Sequence, residues 1–127
     1  MKKILFFLLA IASFVTSGAQ SVTITQPNGS ELLYGCQSYQ IKWNATGVSN
    51  NWNIDYSLNS GAIWTSVARN LAISPVSGVY SYTWTVPMVS SPTVLVRVRD
   101  YIDTLKQDVS NTVFTVQLPI TITTPNG

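Results

Sequence analysis

"VYSYTWTV", Val79 to Val86, decides the fold class. Tyr80, Tyr82, Trp84 and Val86 alternate with Ser81, Thr83 and Thr85. Successive side chains of an extended strand point to opposite faces, so one set meets an apolar layer and the other meets water. The pattern recurs along the chain. "SVTITQ" alternates Val22 and Ile24 with threonines, and "SYQIKWN" sets Tyr39, Ile41 and Trp43 against Gln40 and Lys42. "WNIDYSL" sets Trp52, Ile54, Tyr56 and Leu58 against Asn53, Asp55 and Ser57. "AIWTSVA" at Ala62–Ala68 is shorter and mixed. "TVLVRVRD" sets Val94, Val96 and Val98 against Leu95, Arg97 and Arg99, and "NTVFTVQL" sets Val113 and Thr115 against Phe114 and Val116.

Period-two runs of β-branched and aromatic residues predict half-buried strands. Pro27, Pro87, Pro92 and Pro119 fall between them, where a missing N–H is tolerated. About seven strands and no helical periodicity predict an all-β fold, an antiparallel sandwich of the immunoglobulin or fibronectin-III type. Its expected core is Ile41, Trp43, Ile54, Tyr56, Tyr82, Trp84, Val96 and Val98.

The first residues predict export. Lys2 and Lys3 precede the apolar run "ILFFLLAIASFV", and small residues follow at Ser17 and Ala19. This is the three-part signal-peptide pattern, over residues 1–19, with cleavage after Ala19. The run is too short for a bilayer core, which takes about 20 apolar residues, so no transmembrane anchor is expected in this chain. The 127 residues carry seven lysines and arginines against five acids, and losing Lys2 and Lys3 leaves a net charge of zero. A neutral surface argues against nucleic acid, whose binding is dominated by phosphate neutralisation. Cys36 stands alone, which excludes an internal disulfide and leaves either a small buried side chain or a bond to a cysteine outside this sequence.

"VTITQPNG" at 22–29 returns as "ITITTPNG" at 120–127, an offset of 98 residues. Residues 20–118 are read as one module and 119–127 as the start of a second, truncated one. Further modules of the same polypeptide are then expected partners, with a cell-surface glycan or protein beside them.

"SLNSGAIW", Ser57 to Trp64, nearly spells the Asp-box S-x-D-x-G-x-x-W, with Asn59 in place of the aspartate. Asn and Gly both suit left-handed backbone, so the stretch predicts a tight hairpin with positive φ at Gly61, Ser57 bonding inside it and Trp64 folded over it.

Chemistry is sparse. There is no histidine, so Ser-His-Asp and Cys-His arrangements are excluded. The five acids are Glu31, Asp55, Asp100, Asp103 and Asp108. The last three cluster in "RDYIDTLKQD", where a surface calcium site competes with ordinary Asx turns. No cofactor is expected, and the reading is non-enzymatic. Among the aromatics, Trp52 and Trp64 are the candidates for ligand contact, since Trp43, Trp84, Tyr56 and Tyr82 lie in the inward registers. Asn28 and Asn44 begin N-glycosylation sequons, which matter only in a eukaryotic host.

"ITQPNGSELLYGCQSYQIKWN", "DYSLNSGAIWTSVA", "YSYTWTVP" and "VRVRD…SNTVFTV" together resemble a repeated β-sandwich domain of secreted bacterial proteins, common in the Bacteroidetes. The same pattern is similar to the N-terminal domain of fungal cell-wall β-glucan synthesis proteins, the Ser/Thr-rich anchored family. The resemblance covers Ser21 to Leu118. It implies structural positions only, namely Pro27, Gly29, Gly35, Ile41, Trp43, Tyr56, Gly61, Trp64, Tyr82, Trp84, Pro87, Val98, Asp100 and Phe114. It implies an extracellular or cell-surface structural or adhesion module, or, on the fungal side, a carbohydrate-binding module acting on cell-wall glycan. "DTL" at Asp103–Leu105 is similar to the O-glycosylation motif of Bacteroidetes, with Thr104 as acceptor.

Overall fold

The computed structural model describes residues 21–120. They form nine strands and no helix: β1 Val22–Gln26, β2 Leu32–Tyr34, β3 Ser38–Ala45, β4 Asn51–Ser57, β5 Thr65–Ala72, β6 Val79–Thr85, β7 Ser91–Asp100, β8 Gln107–Val109 and β9 Phe114–Gln117. The strands make two sheets, β1-β3-β6 and β2-β9-β7-β4-β5, with β8 paired to β7. The all-β expectation holds at this level. The signal sequence at residues 1–19 and the repeat beyond Ile120 lie outside the described residues.

Four details differ from the sequence reading. Pro92, expected between strands, is the second residue of β7, where the register with β9 shifts. There are nine strands because β2 and β8 have only three residues each, too few to display alternation. The pairing is not wholly antiparallel, since β2 runs parallel to β9. In β9 the inward residues are Phe114 and Val116, while Val113 is exposed; Phe114 stands opposite Val94, whose side chain is buried.

The interior is one cluster, including Ile24, Ile41, Trp43, Trp52, Ile54, Tyr80, Trp84, Val96, Val98, Phe114 and Val116. Three aromatics tie the sheets together. Trp43 of β3 stacks on Tyr80 of β6 at 5.7 Å, and Trp52 of β4 meets both edge-on at 5.1 and 5.0 Å. Such pairs add about 0.5–1.5 kcal/mol each beyond area burial. The indole N–H groups of Trp43 and Trp52 have no protein partner, so the core keeps these rings at a polar cost.

Chain direction follows from the registers. β1 begins beside the end of β3, with Val22 opposite Ala45 and Thr46 N donating to Ser21 O. β9 ends beside the other end of the sandwich, where Val116 pairs with Ser91 and Gly35 N donates to Gln117 O. The chain therefore enters at one end and leaves at the other. Leu118 and Ile120 lie beyond the last strand and are exposed, Ile120 by 84%.

Candidate functional site

Trp52 is not available for a ligand. It is 0% exposed and sits at the centre of the aromatic triad. Period two puts it on the face of Ile54, and that face is the core. Trp64 is half-buried, and its ring is occupied on one side by the Arg97 guanidinium, 4.2 Å from the centroid.

The "SLNSGAIW" stretch is a β4–β5 loop folded around two side chains. Ser57 Oγ accepts from the N–H of Asn59 and of Gly61 and donates to Asn59 Oδ1, which also accepts from Ile63 N. The loop is further pinned to β7 through Leu58 O, which accepts from the Ser91 and Thr93 hydroxyls. Asn59 thus organises the turn with its amide oxygen. Gly61 has φ +90°, and a Cβ there would lie 3.4 Å from the Trp64 ring. The loop is longer than a tight hairpin, and β5 starts only at Thr65, because Ala62–Trp64 belong to this knot.

The carboxylates do separate work. Asp55 points away from the core yet is 0% exposed, because Arg97, Arg99 and Arg69 close over it. Its Oδ2 accepts from Arg97 Nε and Nη2 and from Arg99 Nη2 at 3.0–3.1 Å, and its Oδ1 meets Arg69 Nη2. Asp100 accepts from Ser49 N, Ser49 Oγ and Asp103 N. Burial opposes its ionisation, but these hydrogen bonds and nearby Lys106 outweigh burial and hold its carboxyl below the ordinary value. Burial, and then the Asp100 charge, push the Tyr80 phenol up. Asp108 reaches away to accept from Ile24 N, and Glu31 accepts from the N–H of Asn28 and Gly29. Asp100, Asp103 and Asp108 therefore do not converge on a calcium site; no group of three metal-holding side chains is present among the described residues.

Cys36 is exposed, contrary to the buried reading. It occupies a turn with φ +67° after β2, tied by its N–H to Val86 O. Thr104 is exposed in the β7–β8 loop.

A cleft opens among the inward registers. Sheet β1-β3-β6 ends at β6 and the larger sheet ends at β5, so the two edges flank an opening into the sandwich. There Tyr56 and Trp84 pair across the sheets at 5.6 Å, tilted by 41°. With Tyr82, Ser66, Val67, Thr83, Thr85 and Pro87 they line a cleft of about 290 Å³. Tyr56 and Tyr82 pack against the core but are only partly buried. Alternation gives the face a residue occupies; it does not tell whether a second sheet covers that position.

No protein-family model matches the chain, and no curated protein matches it in sequence.

Proposed function

We propose that the chain is a non-catalytic immunoglobulin- or fibronectin-III-like module of an exported protein, serving as a structural or adhesion unit in a tandem array at the cell surface. The observation that carries this reading is the joint one of topology and repeat. The chain enters and leaves at opposite ends of the sandwich, and "ITITTPNG" restates the first strand 98 residues later. Modules so connected stack as a string, each in contact only with its neighbours. The carboxylates favour the same reading, since Glu31, Asp55, Asp100 and Asp108 all bind backbone or arginine within the fold. Trimming the chain after Leu118 tests it. The melting temperature should stay within about 2 °C, since a change worth 1 kcal/mol moves a domain of this size by about 4–8 °C. A larger fall would make the tail a strand of this sandwich and end the array reading. N-terminal sequencing of exported chain should begin at Gln20.

A second reading, a carbohydrate-binding module, is favoured by the aromatic cleft between β5 and β6. Such a module would hold its protein to a wall or surface glycan without transforming it.

A further inference from the structure

We propose that the cleft between β5 and β6 binds a neutral oligosaccharide, holding one or two sugar rings of a longer chain against Tyr56 and Tyr82. This rests on the carbohydrate-binding reading and gives it a location and a ligand class.

The lining sets the chemistry. Tyr56 and Tyr82, both partly exposed, supply ring surface with polar tips, the kind of surface on which the C–H face of a pyranose packs, while the buried Trp84 packs on Tyr56. β5 and β6 are edge strands, so Ser66, Thr83 and Thr85 bring backbone N–H and C=O groups to the rim, where they exchange hydrogen bonds with a polyol in both senses, while their side chains stand in the outward registers. No lysine, arginine, aspartate or glutamate lines the cleft, so nothing there compensates a charged ligand. Its volume lies at the lower end for small-molecule sites, which limits it to one or two rings. A single cleft of this kind binds weakly, and repeats on one polypeptide would raise avidity through effective concentration.

An extended peptide adding to a sheet edge is the competing occupant. Strand addition needs a regular edge with pockets for alternate side chains. The β5 edge is irregular, because its pairing with β4 shifts register twice, between Trp52 and Ile54 and between Ile54 and Asp55. Bulged edges resist further pairing. The floor beside it consists of adjacent rings instead of spaced pockets.

The test is titration of the purified chain with cellohexaose, xylohexaose and mannohexaose, with polygalacturonate as the charged comparison. Amide chemical shifts locate binding and tryptophan fluorescence follows it. At least one neutral hexasaccharide should shift Ser66 and Tyr82–Thr85, and polygalacturonate should not. Tyr82→Ala should weaken that binding at least tenfold in protein that keeps its near-ultraviolet circular dichroism, and Tyr82→Phe, which keeps the ring and its packing, should weaken it less than threefold. Shifts confined to Trp64 and its loop, or affinity unchanged in folded Tyr82→Ala, would move the glycan elsewhere and overturn the cleft while sparing the carbohydrate reading. Binding by none of the hexasaccharides would overturn both. Polygalacturonate binding in the cleft, or an extended peptide pairing with β5 or β6, would also overturn the proposal.

Discussion

Asp55 Oδ2 accepts two hydrogen bonds from the Arg97 side chain, at 3.1 Å from Nε and 3.0 Å from Nη2. The two residues face each other in the β4–β7 register, Asp55 opposite Arg97, on the side of the sheet away from the core. Arg99 joins from two residues along β7 and Arg69 from β5. The carboxylate disappears from solvent, while the arginines keep 18, 23 and 47% of their side chains exposed. Arg97 then lies over Trp64, so the hub also anchors the β4–β5 loop.

Asp55→Asn should therefore destabilise more than a surface substitution does. Removing one partner of a buried ion pair costs about 3–5 kcal/mol. The partial exposure of the arginines screens their uncompensated charge, so about 2–3 kcal/mol is expected here by urea titration. A change below about 0.5 kcal/mol, the usual limit for surface sites, would mean the arginines re-solvate freely.

Trp52→Ala should cost about 3–5 kcal/mol, the range for deleting a buried aromatic, and should remove much of the near-ultraviolet circular dichroism from the Trp43–Trp52–Tyr80 triad. A folded variant with unchanged near-ultraviolet signal would contradict the packing of these three rings. Trp43→Ala should behave alike, since Trp43 stacks on Tyr80 of its own sheet and meets Trp52 of the opposite sheet edge-on.

Gly61→Ala places a Cβ on backbone at φ +90° and close to the Trp64 ring. Left-handed backbone costs an L-residue about 1–2 kcal/mol, and a loss of that size is expected in denaturant. A neutral result would mean the loop does not hold this conformation.

Acid should weaken the fold through Asp100. Its folded pKa is depressed, so it contributes stability above the ordinary carboxylate value of about 3.9. That contribution is lost as the pH falls from about 4 through the folded pKa, because the unfolded chain then binds the proton more readily. Asp100→Asn should be less stable at pH 7 and show a shallower loss between about pH 4 and pH 2. Parallel pH–stability curves for the two proteins would remove Asp100 from the acid response.

The sequence by itself determined the all-β class, the faces of β3, β4, β6 and β7, and, in the Ser57–Trp64 loop, the Ser57 hydrogen bonds and the positive φ of Gly61. Each is local: a period of two assigns faces within one strand, and turn chemistry acts over a few residues. Ile41, Trp43, Ile54, Trp84, Val96 and Val98 are accordingly in the core as expected. Trp52 belongs with them by its own alternation with Ile54, which outranks its reading as a ligand aromatic. Tertiary structure decided what covers each face. Asp55 stands in an outward register, and only pairing with β5 and β7 brings three arginines over it. Tyr56 and Tyr82 stand in inward registers, and only the ending of both sheets at β5 and β6 leaves them lining a cleft. Burial depends on neighbours distant in sequence, and periodicity within a strand carries no information about them.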